Sequence, residues 1–112
     1  MKGAAIAESI PVQLKKGVLE LCVLAVLSKG DGYAYDIASQ LAEGIDMAEG
    51  TIYPLMRRLQ DEGLVATYLA ESPSGPPRKY YRLTETGRAS LQAQKAEWSA
   101  FARAVNAILG EG

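Results

Sequence analysis

Histidine is absent from this 112-residue chain. Its absence removes imidazole acid–base catalysis, Ser-His and Cys-His nucleophilic pairs, and imidazole metal ligands. Cysteine occurs once, as Cys22, so neither an internal disulfide nor a multi-thiolate zinc site can form. Cys22 lies in an apolar run with Leu21, Val23 and Leu24 and reads as a core thiol in a reducing compartment. No uninterrupted apolar stretch reaches the roughly 18 residues of a membrane span, and residues 1–10 lack the basic-then-apolar pattern of a secretion signal. Charge of one sign is also missing: 12 Lys+Arg stand against 13 Asp+Glu. These absences predict a soluble cytoplasmic protein with no catalytic residues, cofactor, metal or membrane partner. The length and the 48% apolar content predict a single globular domain over residues 1–112.

The near-neutral total conceals an uneven distribution. Residues 1–50 carry four positive and seven negative charges, whereas residues 51–90 carry six positive against four negative. Arg57, Arg58, Arg78, Lys79, Arg82 and Arg88 make up that second set. Such a local excess describes a small basic face on a neutral protein, or simply a solvated surface.

Residues 12–28 are apolar nearly all round from Val18 to Leu27, the pattern of a helix buried on most sides. Gly30-Asp31-Gly32 is expected to stop it. A second helix is expected from Tyr33 to Glu43, with Ile37, Ala38 and Leu41 inward and Gly44 at its end. A third is expected from about Ala48 to Glu62, because Ile52, Leu55, Met56 and Leu59 fall at i, i+3, i+4 and i+7. Tyr53, Pro54, Arg57, Arg58 and Asp61 then face outward. Pro54 removes a helical hydrogen bond beyond the first turn; either the helix bends near a partner surface, or it starts a turn later. Leu64 to Leu69 and Lys79 to Leu83 read as a hairpin whose tip, Ala70 to Arg78, is rich in turn-forming residues. Thr84 is placed to cap a last helix running through Trp98 to Leu109.

Three helices, a two-stranded ribbon and a long helix give a mainly α fold with a small β-hairpin. The order is that of a winged helix-turn-helix head, about residues 10–83, followed by a C-terminal dimerisation helix, about residues 84–109. In such a head the third helix enters the DNA major groove.

Three blocks make the reading specific. They are Lys29-Gly30-Asp31-Gly32-Tyr33-Ala34-Tyr35; Glu49-Gly50-Thr51-Ile52-Tyr53-Pro54-Leu55-Met56-Arg57-Arg58-Leu59 followed by Glu62-Gly63-Leu64-Val65; and Arg78-Lys79-Tyr80-Tyr81-Arg82-Leu83-Thr84-Glu85-Thr86-Gly87. In order and spacing they resemble the PadR family of transcriptional regulators over roughly residues 10–109. A single C-terminal helix is similar to the short subfamily, and the Ile10-Pro11 start with Trp98 is similar to its multidrug-sensing repressors. Ala34 departs from the pattern, since many members have glycine between the two tyrosines.

The resemblance implies a repressor that binds a pseudo-palindromic double-stranded operator. Tyr35, Thr51 and Tyr53 offer hydroxyls, and a helix N-terminus attracts phosphate. Pro54 shares this outward face. Arg57 and Arg58 supply charge and can read guanine, while Arg78, Lys79 and Tyr80 reach out from the wing. Tyr53, Tyr80 and Tyr81 also read as core residues that expose only their hydroxyls.

Leu91, Trp98 and Val105 recur every seven residues, and Gln94, Phe101 and Ile108 repeat the pattern three places on. Such a seam calls for a partner helix, here that of a second protomer in a homodimer. Trp98, the only tryptophan, has two readings: a volume-filling seam residue, or a platform for a ligand. The resemblance implies the second, with paired tryptophans stacking on a flat aromatic or lipophilic effector between protomers. Leu14, Gly17, Val18 and Leu21 of the first helix would join Trp98, Phe101 and Ala102 around it. Two rival readings stay open: a PadR-like regulator without an effector pore, and a winged-helix module that binds only protein.

Overall fold

In the computed structural model the described backbone covers residues 12–110, with side chains described from Val18 onward. Leu14 and Gly17, expected at an effector site, therefore lie outside the described side chains. Helix α1 (Val12–Ser28) is the central element. Leu19, Val23, Leu24 and Leu27 are buried, and Leu21, Cys22, Ala25 and Val26 pack partly against the same core. That explains an apolar pattern without a polar face. The helix closes in a tight turn, with the amides of Lys29 and Gly30 bonding the carbonyls of Val26 and Leu27.

Gly32 and Tyr33 do not belong to the second helix. They form a short strand, β1, paired antiparallel with a strand of the hairpin. Helix α2 follows as Ala34–Ile45 and buries Ile37, Ala38 and Leu41. Ala34 itself packs partly against the core. Gly44 does not end α2; Asp46 does, in the left-handed conformation at φ 55°, with its amide bonded to the Ala42 carbonyl.

Helix α3 (Glu49–Asp61) buries Ile52, Met56 and Leu59 completely and Leu55 in part. Its first turn is closed by the Thr51 amide on the Ala48 carbonyl, so Pro54 lies within the helix and the start is not displaced by a turn. At the other end Gly63 adopts φ +79°. Its amide bonds the Gln60 carbonyl and that of Leu64 bonds the Leu59 carbonyl, the double closure of a Schellman motif.

Strands β2 (Val65–Ser72) and β3 (Gly75–Leu83) are longer than the composition suggests. Residues 70–78 are not a loop: Ala70 pairs with Arg78 and Ser72 with Gly75 around a bulge, leaving only Pro73 and Ser74 in the turn. Pro76 and Pro77 are tolerated in β3 because β1 reaches only Tyr80 and Tyr81 on one side and the bulge between Ala70 and Ser72 interrupts the β2 ladder on the other. The sheet order is β1-β3-β2. Its inner face adds Val65, Tyr81 and Leu83 to the helical core.

Helix α4 (Glu85–Leu109) starts as expected at Thr84, whose hydroxyl accepts from the Gly87 amide at 3.0 Å and donates to the Gly63 carbonyl at 2.7 Å. Only Gly87 and Leu91 of this helix are buried. Beyond them α4, about 37 Å long, projects from the head and raises the radius of gyration to 16.1 Å, against about 13 Å for a compact chain of this length. Three helices, a wing and this extension form a winged-helix fold. Among the described residues no helix is long and apolar enough to cross a membrane.

Candidate nucleic-acid interface

The outward surface of α3 divides into two flanks. Tyr53 and Arg57, one turn apart, are both exposed, and Arg57 forms no ion pair among the described residues. Thr51, Pro54 and Arg58 turn instead toward α1 and line a cleft of about 540 Å³ that reaches Leu19, Glu20 and Gln94. Arg58 is held on both sides, with Nη2 2.9 Å from Glu20 Oε1 and Nη1 2.9 Å from Glu62 Oε2. These hydrogen bonds, that to Glu20 foremost, push the guanidinium pKa further above its ordinary range. At half exposure the pairing contributes little stability, but it fixes where the side chain points. The two arginines that sequence groups together are thus separated by the fold.

The outer face of the sheet carries a row of tyrosines. Tyr33 on β1, Tyr80 on β3 and Tyr68 on β2 are direct cross-strand neighbours, with ring centroids 5.6 Å and 5.7 Å apart along the row. Tyr35, at the start of α2, extends it at 6.5 Å from Tyr33. The Arg78 guanidinium lies 4.7 Å from the centroid of Tyr33, a cation–π contact that holds the wing's first basic side chain. At the far end the Tyr68 hydroxyl donates to Asp31 Oδ2 at 2.7 Å, and this bond raises the tyrosine pKa. Of the three tyrosines with a core reading, only Tyr81 is core, at 8% exposure, with the Lys79 ammonium 5.7 Å from its centroid. Tyr80 is half-buried in the row and Tyr53 is exposed. Tyr33, Tyr68 and Asp31 are not among the site residues that the sequence signals. Period-two alternation along the full strands would have matched Tyr68 to Tyr80, but Tyr33 joins them only through the unforeseen β1.

Along α4 the seven-residue pattern changes role. Leu91, 3% exposed, belongs to the chain's own core. Gln94 donates to Glu20 Oε2 at 2.7 Å and to Ser90 Oγ at 2.9 Å. Farther out Trp98, Phe101 and Ile108 are exposed, and Val105 and Ala102 half-exposed. Trp98 meets Val18, Leu21, Gln94 and Glu97 around a cleft of about 180 Å³, and its ring lies 6.3 Å from that of Phe101. The structure therefore brings Val18, Leu21 and Trp98 together, with Phe101 alongside Trp98; Ala102 does not line this cleft. Among the described residues no cluster of His, Cys, Asp and Glu could hold a metal. Burial pushes the Cys22 thiol pKa up, away from the reactive thiolate.

Residues 23–93 match the transcriptional regulator PadR-like family. The chain belongs to that family. Its fold is similar to that of a PadR-like transcriptional regulator from Bacillus cereus, with a TM-score of 0.80 and 39% identity over 87% of this chain and 96% of the other. It is also similar to PadR of Bacillus subtilis solved in complex with operator DNA, with a TM-score of 0.61 and 30% identity over 69% of this chain and 45% of that one. In sequence it is 31% identical to the negative transcriptional regulator PadR of Bacillus subtilis over 66% of this chain, spanning 43% of that protein. PadR-like membership makes the chain a transcriptional regulator rather than an enzyme.

Proposed function

We propose that this PadR-like chain is a cytoplasmic, sequence-specific DNA-binding repressor, a homodimer through α4, that leaves its operator when an aromatic or lipophilic molecule binds between protomers. The observation that carries the reading is that α3 and the wing each present exposed cationic and hydroxyl-bearing side chains. Tyr53 and Arg57 stand exposed on α3, while on the wing Arg78 lies over the tyrosine row and Lys79, on the opposite face of β3, lies beside Tyr81. The relative solved with operator DNA supports the same use of this fold. The backbone amides of the N-terminal turn of α3 would receive phosphate, and Tyr53 and Arg57 would face the groove. Arg78, Lys79 and Tyr80 would contact the backbone beside it, with Tyr35 at the edge of the row.

The exposed Trp98, Phe101 and Ile108, with the half-exposed Val105, supply an apolar edge for a second copy, and two-fold pairing would set two α3 helices on the half-sites of a pseudo-palindrome. An effector stacked on Trp98 would favour a spacing of the heads that no longer fits those half-sites. Selection from a random duplex pool tests the reading. The expected product is two inverted half-sites with centres about ten base pairs apart; recovery of no sequence above background would oppose it.

A further inference from the structure

One carboxylate joins three helices. Glu20 of α1 receives Gln94 of α4 on Oε2 at 2.7 Å and Arg58 of α3 on Oε1 at 2.9 Å. Arg58 continues to Glu62 at the end of its own helix. The bridge spans the cleft of about 540 Å³ between α1, α3 and α4, where open space gives α3 little apolar support from α4. Gln94 also lines the smaller cleft beside Trp98. The same amide therefore borders both the aromatic edge of α4 and the polar link to α3.

We propose that Glu20 is a positioning residue that ties the DNA-facing helix α3 to α4, so that altered packing around Trp98 reaches α3 through Gln94, Glu20 and Arg58. The inference rests on the reading of α4 as the dimer and effector helix. Its physical basis is that a carboxylate with both oxygens occupied is less restrained in its rotamer when either donor leaves. Withdrawal of Gln94 leaves Glu20 held by Arg58 alone, and Arg58 can then shift toward Glu62, its other partner. Charge-assisted bonds are short and directional enough to transmit such a change, and α1, packed on both sides, holds the pivot in place.

A double-mutant cycle on the full chain tests this, using Gln94→Ala, Glu20→Gln and both together. The first readout is amide NMR without DNA. Gln94→Ala should shift the amides of Thr51 to Tyr53 and Leu55 to Arg58, and the shift should vanish in the Glu20→Gln background. Gln94→Lys, which restores a donor toward Glu20, should return the α3 amides toward their original positions. The second readout is affinity for a duplex selected by the unaltered protein. Gln94→Ala should change it about threefold or more, and the two substitutions should not combine multiplicatively. Unmoved α3 amides, or the same shifts with Glu20 replaced, would overturn the relay. If no duplex is selected, the DNA reading fails while the amide shifts still decide the role of Glu20.

Discussion

The guanidinium of Arg78 lies over the ring of Tyr33, 4.7 Å from its centroid, and so ties the wing to the short strand β1. Tyr33→Leu should release Arg78 without removing its charge. An exposed cation–π contact is worth about 0.5–1 kcal/mol, so affinity for a selected duplex should fall about two- to fivefold. Fluorescence anisotropy would measure this, with thermal melting to confirm an intact head. Unchanged affinity would mean that the wing needs no such support.

Gly87 lies where α4 leaves the wing, and a Cβ there would overlap the Leu64 carbonyl oxygen and approach Leu83 Cδ1 to 2.7 Å. The backbone on one side is pinned by the Thr84 cap. Gly87→Ala should destabilise the chain by about 1–3 kcal/mol, as overpacking does. Urea unfolding gives the value directly, and a neutral result would show that this junction yields.

Much of this fold is legible from spacing alone. Ile52, Met56 and Leu59 mark the buried face of α3, and Thr84 and Gly63 mark helix ends. Errors gather where local composition and long-range pairing disagree. Pro, Ser and Gly between residues 72 and 77 signal a loop, yet cross-strand hydrogen bonds extend the hairpin through most of them. Two residues cannot announce a strand, so the local pattern places Tyr33 in a helix although β3 recruits it. In the candidate site, residue types pointed to Arg57 and Arg58 alike. Glu20, 38 positions from Arg58 in sequence, separates them, and no helical periodicity could reveal that pairing. The heptad pattern likewise located the exposed edge of α4 but could not show that Leu91 and Gln94 are engaged within the chain.

The hydrogen bond from Tyr68 to Asp31 raises the tyrosine pKa above its ordinary value near 10. A folded pKa above the unfolded one means that this bond stabilises the fold below the unfolded value. Its contribution is lost as pH rises through the folded value. Carbon NMR of the ring should place the Tyr68 midpoint above that of a free tyrosine, and Asp31→Asn should lower it. A midpoint indifferent to residue 31 would assign the shift elsewhere.

The exposed edge of α4 makes a separable prediction. Phe101 is 62% exposed and lies outside the buried core, so Phe101→Asp should leave the head folded. In a dimer seam the unpaired carboxylate would be costly, and sedimentation should report a monomer. Trp98→Ala should weaken binding of an acridine dye about fivefold through lost stacking. A dimer of unaltered mass would move the seam, and equal calorimetric dye affinities would remove Trp98 from the effector site.

Salt dependence of duplex binding tests the DNA-facing surface most directly. Arg57, exposed and without an ion pair among the described residues, and Lys79 on the wing should each release counterions on binding. With a duplex selected by the unaltered protein, Arg57→Ala and Lys79→Ala should each lower affinity and make the log–log salt slope shallower by about 0.9. If both variants keep the original affinity and slope at matched salt, α3 and the wing are not the surface that meets DNA.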